Sequence, residues 1–394
     1  MGRPLLNRRL DGLGTTIFAE MSALAATTGA INLGQGFPDT DGPDEVREAV
    51  VAALRDGHNQ YPPGPGLPDL RQAIAEHRQR FYGHLGGPAY DPDTEVLVTT
   101  GATEAIAAAL LALVEPGDEV VALEPYYDSY AACIAMAGGV RVGVPLRPPT
   151  FDLDIDALRA AVTPRTRLLM LNTPHNPTGK VLTREELVAV AELAVEHDLL
   201  VITDEVYEHL VFDGEHIPLA TLPGMRERTV TISSAGKTFS FTGWKIGWVC
   251  ATPELVAAVR TTKQFLTYVS GGPFQPAVAR ALRLPDAYYE GFAADMRAKR
   301  DVLVSGLEAA GLTVYRPQGT YFITTDISPL GFEDGLDFCR KLPELCGVVA
   351  VPEKVFFDDN PESQKIGRPL VRFAFCKREV VLREAAERLA TLRG

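Results

Sequence analysis

Arg167-Leu168-Leu169-Met170-Leu171 and Leu199-Leu200-Val201-Ile202-Thr203 are two short apolar runs, and a helix pattern lies between them. The helix opens at Thr183, where Glu186 three residues on completes a capping-box pattern, and Leu187, Val190, Ala191 and Ala194 fall on one face. The alternation continues outward. Glu95 to Thr100 and Glu119 to Leu123 read as strands on the N-terminal side, with an Ala/Leu-rich helix from Thr103 to Val114 between them, and Thr229 to Ile232 reads as a strand on the C-terminal side. Apolar strands separated by helices predict an α/β fold with a mostly parallel sheet sandwiched by helices.

In such sheets ligands gather beyond the carboxyl ends of the strands. The polar and aromatic residues of this chain cluster there: Gly101-Ala102-Thr103, Tyr126-Tyr127, Asn172 to Gly179, Asp204 to Tyr207, and Ser233 to Lys237. Caps and turns account for one or two such clusters, not for five. The remainder of the chain differs. Residues 1–45 hold a short helical stretch and the Gly-rich Leu33-Gly34-Gln35-Gly36 segment. Beyond residue 290 come a charged helix (Asp295 to Ala310), strands at Tyr321 to Thr325 and Leu370 to Phe375, and a closing helix from Glu379. These predict a large domain over 46–290 and a smaller α+β domain built from both termini, 1–45 and 291–394.

Composition narrows the function class. A chain of 394 residues with 46% hydrophobic and 23% charged residues is ordinary for a two-domain globular enzyme. Its formal net charge of −13 argues against a nucleic-acid partner. An anionic ligand must therefore be held by a local cluster of donors. The five cysteines have neither CxxC spacing nor an even count, so no metal site and no disulfide framework is expected. Met1 to Leu6 is no secretory signal, Leu6 stands where a myristoylation signal wants Ser or Thr, and no apolar run is long enough to span a bilayer. The expectation is a soluble, cytoplasmic protein without a membrane contact.

Lys237 follows a strand among small residues and aromatics, where desolvation can lower its amine pKa as imine formation requires; by itself it reads as readily as a solvated surface lysine. Asp204 and Tyr207 change that reading. A carboxylate against a pyridine nitrogen keeps the ring protonated, and a phenol can hydrogen-bond a ring oxygen. The Asn176-Pro177-Thr178-Gly179 turn can bring an amide to the same oxygen. Gly101-Ala102-Thr103 opens a helix whose free N–H groups favour an anion, with Ser234 and Lys245 at hand. Tyr127 can stack on a flat ring.

With these residues in view the chain resembles the class I/II aminotransferases of pyridoxal-5′-phosphate (PLP) fold type I. The matching motifs are Asn176-Pro177-Thr178-Gly179, Asp204-x-x-Tyr207, Ser234-x-x-Lys237, Gly243-x-Lys245-x-Gly247 and Val371-Arg372-Phe373, in order along the chain. The resemblance implies that Lys237 carries the cofactor as an internal aldimine and then moves the proton between Cα and the cofactor. It implies that Asp204 pairs with the ring nitrogen, and that Tyr207 and Asn176 contact the ring oxygen. Gly101, Ala102, Thr103, Ser234 and Lys245 would hold the phosphate, Tyr127 would stack, and Arg372 with the Gly36 backbone would bind the substrate carboxylate. Phe18 and Tyr268 would face the substrate side chain. Tyr61 would reach the phosphate of a neighbouring subunit, which implies a homodimer.

Lys245 stands where many relatives carry Arg. The segments Ser233 to Ser240 and Ile31 to Asp39 resemble the kynurenine aminotransferase/glutamine transaminase K branch, and the whole chain resembles the actinobacterial N-succinyldiaminopimelate type. The implied reaction moves the amino group of a large apolar or aromatic, Met/Gln/kynurenine-like or N-succinylated amino acid to an oxo acid such as 2-oxoglutarate. An aromatic pocket suits large apolar donors, and no second arginine is assigned to a distal carboxylate. A cysteine-conjugate β-lyase using the same lysine is the alternative. A PLP-sensing regulator is more remote, since it would need a DNA-binding domain and a basic face.

Overall fold

The structure is a computed structural model describing residues 5–87 and 89–393; the reading of the first four residues lies outside it. Its strands in chain order are β1 (Ile31–Asn32), β2 (Val96–Thr99), β3 (Glu119–Glu124), β4 (Val140–Pro145), β5 (Thr166–Asn172), β6 (Leu200–Asp204), β7 (Thr229–Ser234), β8 (Gly247–Cys250), β9 (Thr313–Tyr315), β10 (Phe322–Asp326), β11 (Val348–Val349), β12 (Val351–Pro352) and β13 (Leu370–Ala374). Seven of them form the main sheet in the order β2-β8-β7-β6-β5-β3-β4. All its neighbours run parallel except β8, which is antiparallel to both β2 and β7.

Alternate residues of the central strands enter different cores. Leu168, Met170 and Ile202 pack with the helix Gly101–Leu113, whereas Leu169, Leu171 and Val201 pack with Leu187 and Val190 of the helix Arg184–Glu196. Burial on both faces is why these strands are continuous apolar runs. The capping box at Thr183 and Glu186 is formed, and Leu187, Val190, Ala191 and Ala194 are all buried.

A second, antiparallel sheet has the order β12-β13-β10-β9. Beside it β1 pairs in parallel with β11, Ile31 opposite Val348, so an N-terminal segment is stitched to the C-terminal region. Met21, Ala25 and Leu33 share a core with Leu303, Phe338, Phe373 and Leu382. Val206, Tyr207 and Leu210, which follow β6, also enter this core, so the two sheets meet at the end of β6.

Several boundaries differ from the sequence reading. The helix expected from Thr103 begins at Gly101, because glycine accepts the positive φ of +72° at the turn. The long helix expected from Asp295 spans Asp286–Ala309, its first turns buried through Tyr289. β4 escaped notice because it is a sheet edge of mixed burial, written Val-Arg-Val-Gly-Val-Pro. β8, Gly247–Cys250, also escaped notice.

Candidate active site

The carboxyl ends of β5, β6 and β7 open on a cavity of about 260 Å³. Lys237 stands in the short helix Ala235–Thr238 directly after β7, and the Ala235 amide bonds the Ile246 carbonyl just ahead of β8. The lysine is partly buried, and its Nζ donates to the Tyr321 hydroxyl at 3.0 Å. That hydroxyl donates to the Gly36 carbonyl at 2.5 Å. Desolvation lowers the Lys237 amine to about 8; Cys376 and Asp204 oppose the shift, and Arg372 and Lys245 reinforce it. About a tenth of this amine is therefore neutral at pH 7, far more than for an ordinary lysine, as a nucleophile or base requires.

Asp204 ends β6 and is buried. The Tyr130 hydroxyl donates to its Oδ2 at 2.6 Å and the Val206 amide to its Oδ1 at 3.3 Å. Burial raises its pKa to about 6, against these donors and Lys237. Asn172, at the end of β5, ties the neighbouring pieces together. Its Nδ2 donates to the Asp204 carbonyl at 2.8 Å, and its Oδ1 accepts the Asn176 amide at 2.7 Å. Tyr207 is buried with its ring 5.2 Å from that of Tyr321, and burial pushes its hydroxyl pKa upward. Tyr127 lines the wall edge-on to Tyr130 at 5.7 Å.

A cradle for an anion lies at the start of the helix Gly101–Leu113. The Thr100 side chain makes no cap bond and Glu104 accepts the Thr100 amide at 2.6 Å, while Ala102 and Thr103 line the cavity inside the first turn. A Cβ added to Gly247 would lie 2.6 Å from the Gly101 carbonyl carbon and 2.8 Å from the Ala102 nitrogen. Only glycine lets β8 approach the helix this closely. Lys245 brings a cation to the rim, its Nζ 3.2 Å from where a Gly101 Cβ would stand, and Ser234 completes the wall from the end of β7.

Arg372 enters from β13 and is buried. Its Nη1 donates to Asn176 Oδ1 at 3.0 Å and its Nη2 to the Gly34 carbonyl at 2.9 Å, while Nε has no partner. The guanidinium lies 4.0 Å above the Phe322 ring and 5.1 Å from that of Phe18. These hydrogen-bond partners are neutral, so its charge stays available to an anion in the cavity. Gly36 is needed nearby, because a Cβ there would lie 2.5 Å from Phe322 Cζ.

The cavity thus brings together Lys237, Gly101, Ala102, Thr103, Tyr127, Asn176, Asp204, Tyr207, Ser234, Lys245, Gly36, Arg372 and Phe18. Tyr61 and Tyr268 are not in its wall. They are 80% and 54% exposed and pack edge-on against each other at 5.5 Å. The sequence reading missed Tyr130, Tyr321 and Asn172 as partners of the chosen residues. Asn172 lay within a strand-end cluster already singled out; Tyr130 and Tyr321 are ordinary aromatics whose hydroxyl contacts span 74 and 84 residues.

Two further groups, His77 with Glu208 and His209, and Glu205 with Glu208 and His216, each come within 4.8 Å. Arg78 lies 3.0 Å from both glutamates, and Ser233 and Thr203 occupy their other oxygens. With an arginine in the middle these are ion-paired carboxylates rather than a cation pocket.

Known proteins resemble this chain over nearly its whole length. A probable N-succinyldiaminopimelate aminotransferase of Mycobacterium tuberculosis (strain H37Rv) is 56% identical over 391 residues, 98% of either chain. The methionine aminotransferase of Escherichia coli K12 is 43% identical over 385 residues, 98% of this chain and 97% of that one. A solved N-succinyldiaminopimelate aminotransferase from Mycobacterium tuberculosis superposes with a TM-score of 0.95 at 56% identity, covering 98% of this chain and 100% of that one. Residues 28–389 match the family profile of the class I and II aminotransferases, and the chain belongs to that family.

Proposed function

We propose that this aminotransferase uses pyridoxal 5′-phosphate held at Lys237 to exchange an amino group between N-succinyldiaminopimelate and an oxo acid such as 2-oxoglutarate. The observation that carries the cofactor reading is the lysine amine, lowered by desolvation, in one cavity with buried Asp204 and buried Arg372. The donor set suits a phosphorylated pyridine. The helix start, Ser234 and Lys245 suit a phosphate, and Asp204 becomes a stable carboxylate once a protonated ring nitrogen faces it. Bound there, the cofactor supplies an electron-withdrawing ring that stabilises negative charge on the substrate Cα.

The chain's own groups do the rest. Lys237 Nζ binds the cofactor and, when free, removes a proton from Cα and returns one across the cavity. Tyr321, bonded to both Lys237 and Gly36, holds that amine in line. Asn176 and Tyr207 would orient the ring through its oxygen, and Tyr127 would stack on it. Arg372 binds the α-carboxylate and so sets which Cα bond stands across the ring. Phe18 and Phe322 exclude water from the side-chain end. The division into a 46–290 domain and a smaller one from both termini belongs to this proposal. So does a homodimer in which exposed Tyr61 serves the neighbouring subunit.

The succinylated substrate rests on 56% identity across whole chains. A second reading, a methionine-like or aromatic donor, is favoured by the aromatic wall of Phe18, Tyr127 and Phe322 and by the cations at the cavity. Among the described residues lining it, Lys237, Lys245 and Arg372 are the cations, and each already has a role. Steady-state kinetics with N-succinyldiaminopimelate, methionine and kynurenine separates the two. The first reading expects kcat/KM for the succinylated donor to exceed the others by about a hundredfold or more. The reverse ranking would favour the second.

A further inference from the structure

Behind Arg372 lies a buried carboxyl group with no role in the site so far. Arg372 on β13 sits opposite Thr324 of β10 on one side and Val351 of β12 on the other. Directly opposed residues of paired strands share a face, so Thr324, Arg372 and Val351 form one row. Glu353, two residues beyond Val351, is fully buried, and its Oε1 accepts the Thr324 hydroxyl at 2.6 Å. That bond reaches from β10 past β13 to the turn Glu353–Phe356 that follows β12. The other oxygen, Oε2, has no partner, and neither has Arg372 Nε.

Among the described residues, Arg372 is the cation that acts on Glu353. Tyr315 of β9 and Cys339 of the helix Gly335–Cys346 face it as neutral groups. Lys354, next in sequence, turns away to Asp334 at 2.7 Å, and Arg340 of the same helix pairs with Glu20 at the surface. Resting on the reading of Arg372 as the carboxylate-binding residue, we propose that Glu353 is its positioning residue. Neutral, Glu353 leaves the guanidinium free for a substrate carboxylate; ionised, it competes with the substrate from behind. Burial, opposed by Thr324 and Arg372, raises the Glu353 carboxyl to about 7, so the change falls in the working pH range of an enzyme.

The test uses cofactor-loaded protein and 3-phenylpropionate, a carboxylate without an amino group, whose Kd is measured by calorimetry from pH 6 to 8.5. Glu353→Gln mimics the protonated acid and keeps an oxygen for Thr324. The ratio of wild-type to Glu353→Gln Kd cancels the titration of other groups. It should be close to one at pH 6 and reach about fivefold at pH 8.5. Thr324→Val, which removes the bond that favours the ionised form, should shift the wild-type rise to higher pH. A ratio that stays flat with pH while Arg372→Ala abolishes binding would overturn the role of Glu353 alone. Unchanged binding in Arg372→Ala would overturn the reading of Arg372, and this proposal with it.

Discussion

Two buried arginines, Arg78 and Arg372, use their charge differently. Arg78, from the helix Pro68–Tyr82, meets Glu205 and Glu208 at 3.0 Å each. His216 stands 3.2 Å from Glu205, and Ser233 donates to Glu208 at 2.6 Å. Arg372 meets only the neutral oxygens of Asn176 and Gly34. Both leave Nε without a partner, so the contrast lies in charge and not in the number of open donors. Glu205 adjoins Asp204, Glu208 adjoins Tyr207 and Ser233 adjoins Ser234. The Arg78 network is thus anchored one residue away from three groups of the cavity wall. A buried arginine matched by carboxylates holds a wall in place; one matched by carbonyl oxygens is ready for an anion.

The largest expected effect is on folding. Arg78→Met leaves two buried carboxylates without their cation and should destabilise the protein by about 3–5 kcal/mol, read from denaturant unfolding. Next comes Arg372→Ala. It should lower stability less than Arg78→Met does while raising KM for every amino donor by roughly 10- to 100-fold, as expected for losing hydrogen bonds from a charged group. An effect on a single donor would mean that Arg372 reads a side chain. Equal losses of stability in the two variants would erase the contrast between the arginines.

The comparison also has a pH dimension. Burial alone would raise Glu208, but Arg78 and the nearby histidines hold it down to about 2. A depressed carboxylate contributes stability that is present above its ordinary value of 4.5 and is lost as pH falls toward 2. Acid unfolding in that window should therefore be pronounced in the wild type and shallower in Arg78→Met. At the cavity the sign differs, because Lys237 is lowered, to about 8, first by desolvation. The rate at which apoprotein captures PLP, followed by stopped-flow absorbance, should rise with pH and level off above about 8. This is the smallest of the effects.

Much of this arrangement was legible in the sequence. The apolar runs at Leu168 to Leu171 and Leu200 to Thr203 fixed the main sheet because both of their faces are buried, and the strand-end polar residues then fell together. Lys237 and Asp204 were found because a lysine and an aspartate stand out directly after apolar runs, Asn176 came from its Asn-Pro-Thr-Gly turn, and Arg372 came only from the family motif Val371-Arg372-Phe373. What could not be read is contact across distance. Tyr130 on Asp204 and Tyr321 on Lys237 are hydroxyls brought in from helices and loops far along the chain, and no local pattern marks them. Glu353 is the extreme case: in Val351-Pro352-Glu353-Lys354 it looks like one more surface acid, and only the packing of β10, β12 and β13 buries it. The edge strand β4 was missed for the opposite reason, being too polar to stand out.

The central claim is that Lys237 holds the cofactor and handles the proton. The most direct test is the visible absorption spectrum of wild type and Lys237→Ala, each incubated with PLP, desalted, and then mixed with N-succinyldiaminopimelate or methionine. The account predicts a visible band in the wild type that survives desalting and fades on addition of a donor as the matching oxo acid is released. In Lys237→Ala it predicts that desalting removes the cofactor and that no oxo acid forms. A wild-type band lost on desalting, or oxo acid formed at comparable rates by both proteins, would contradict it.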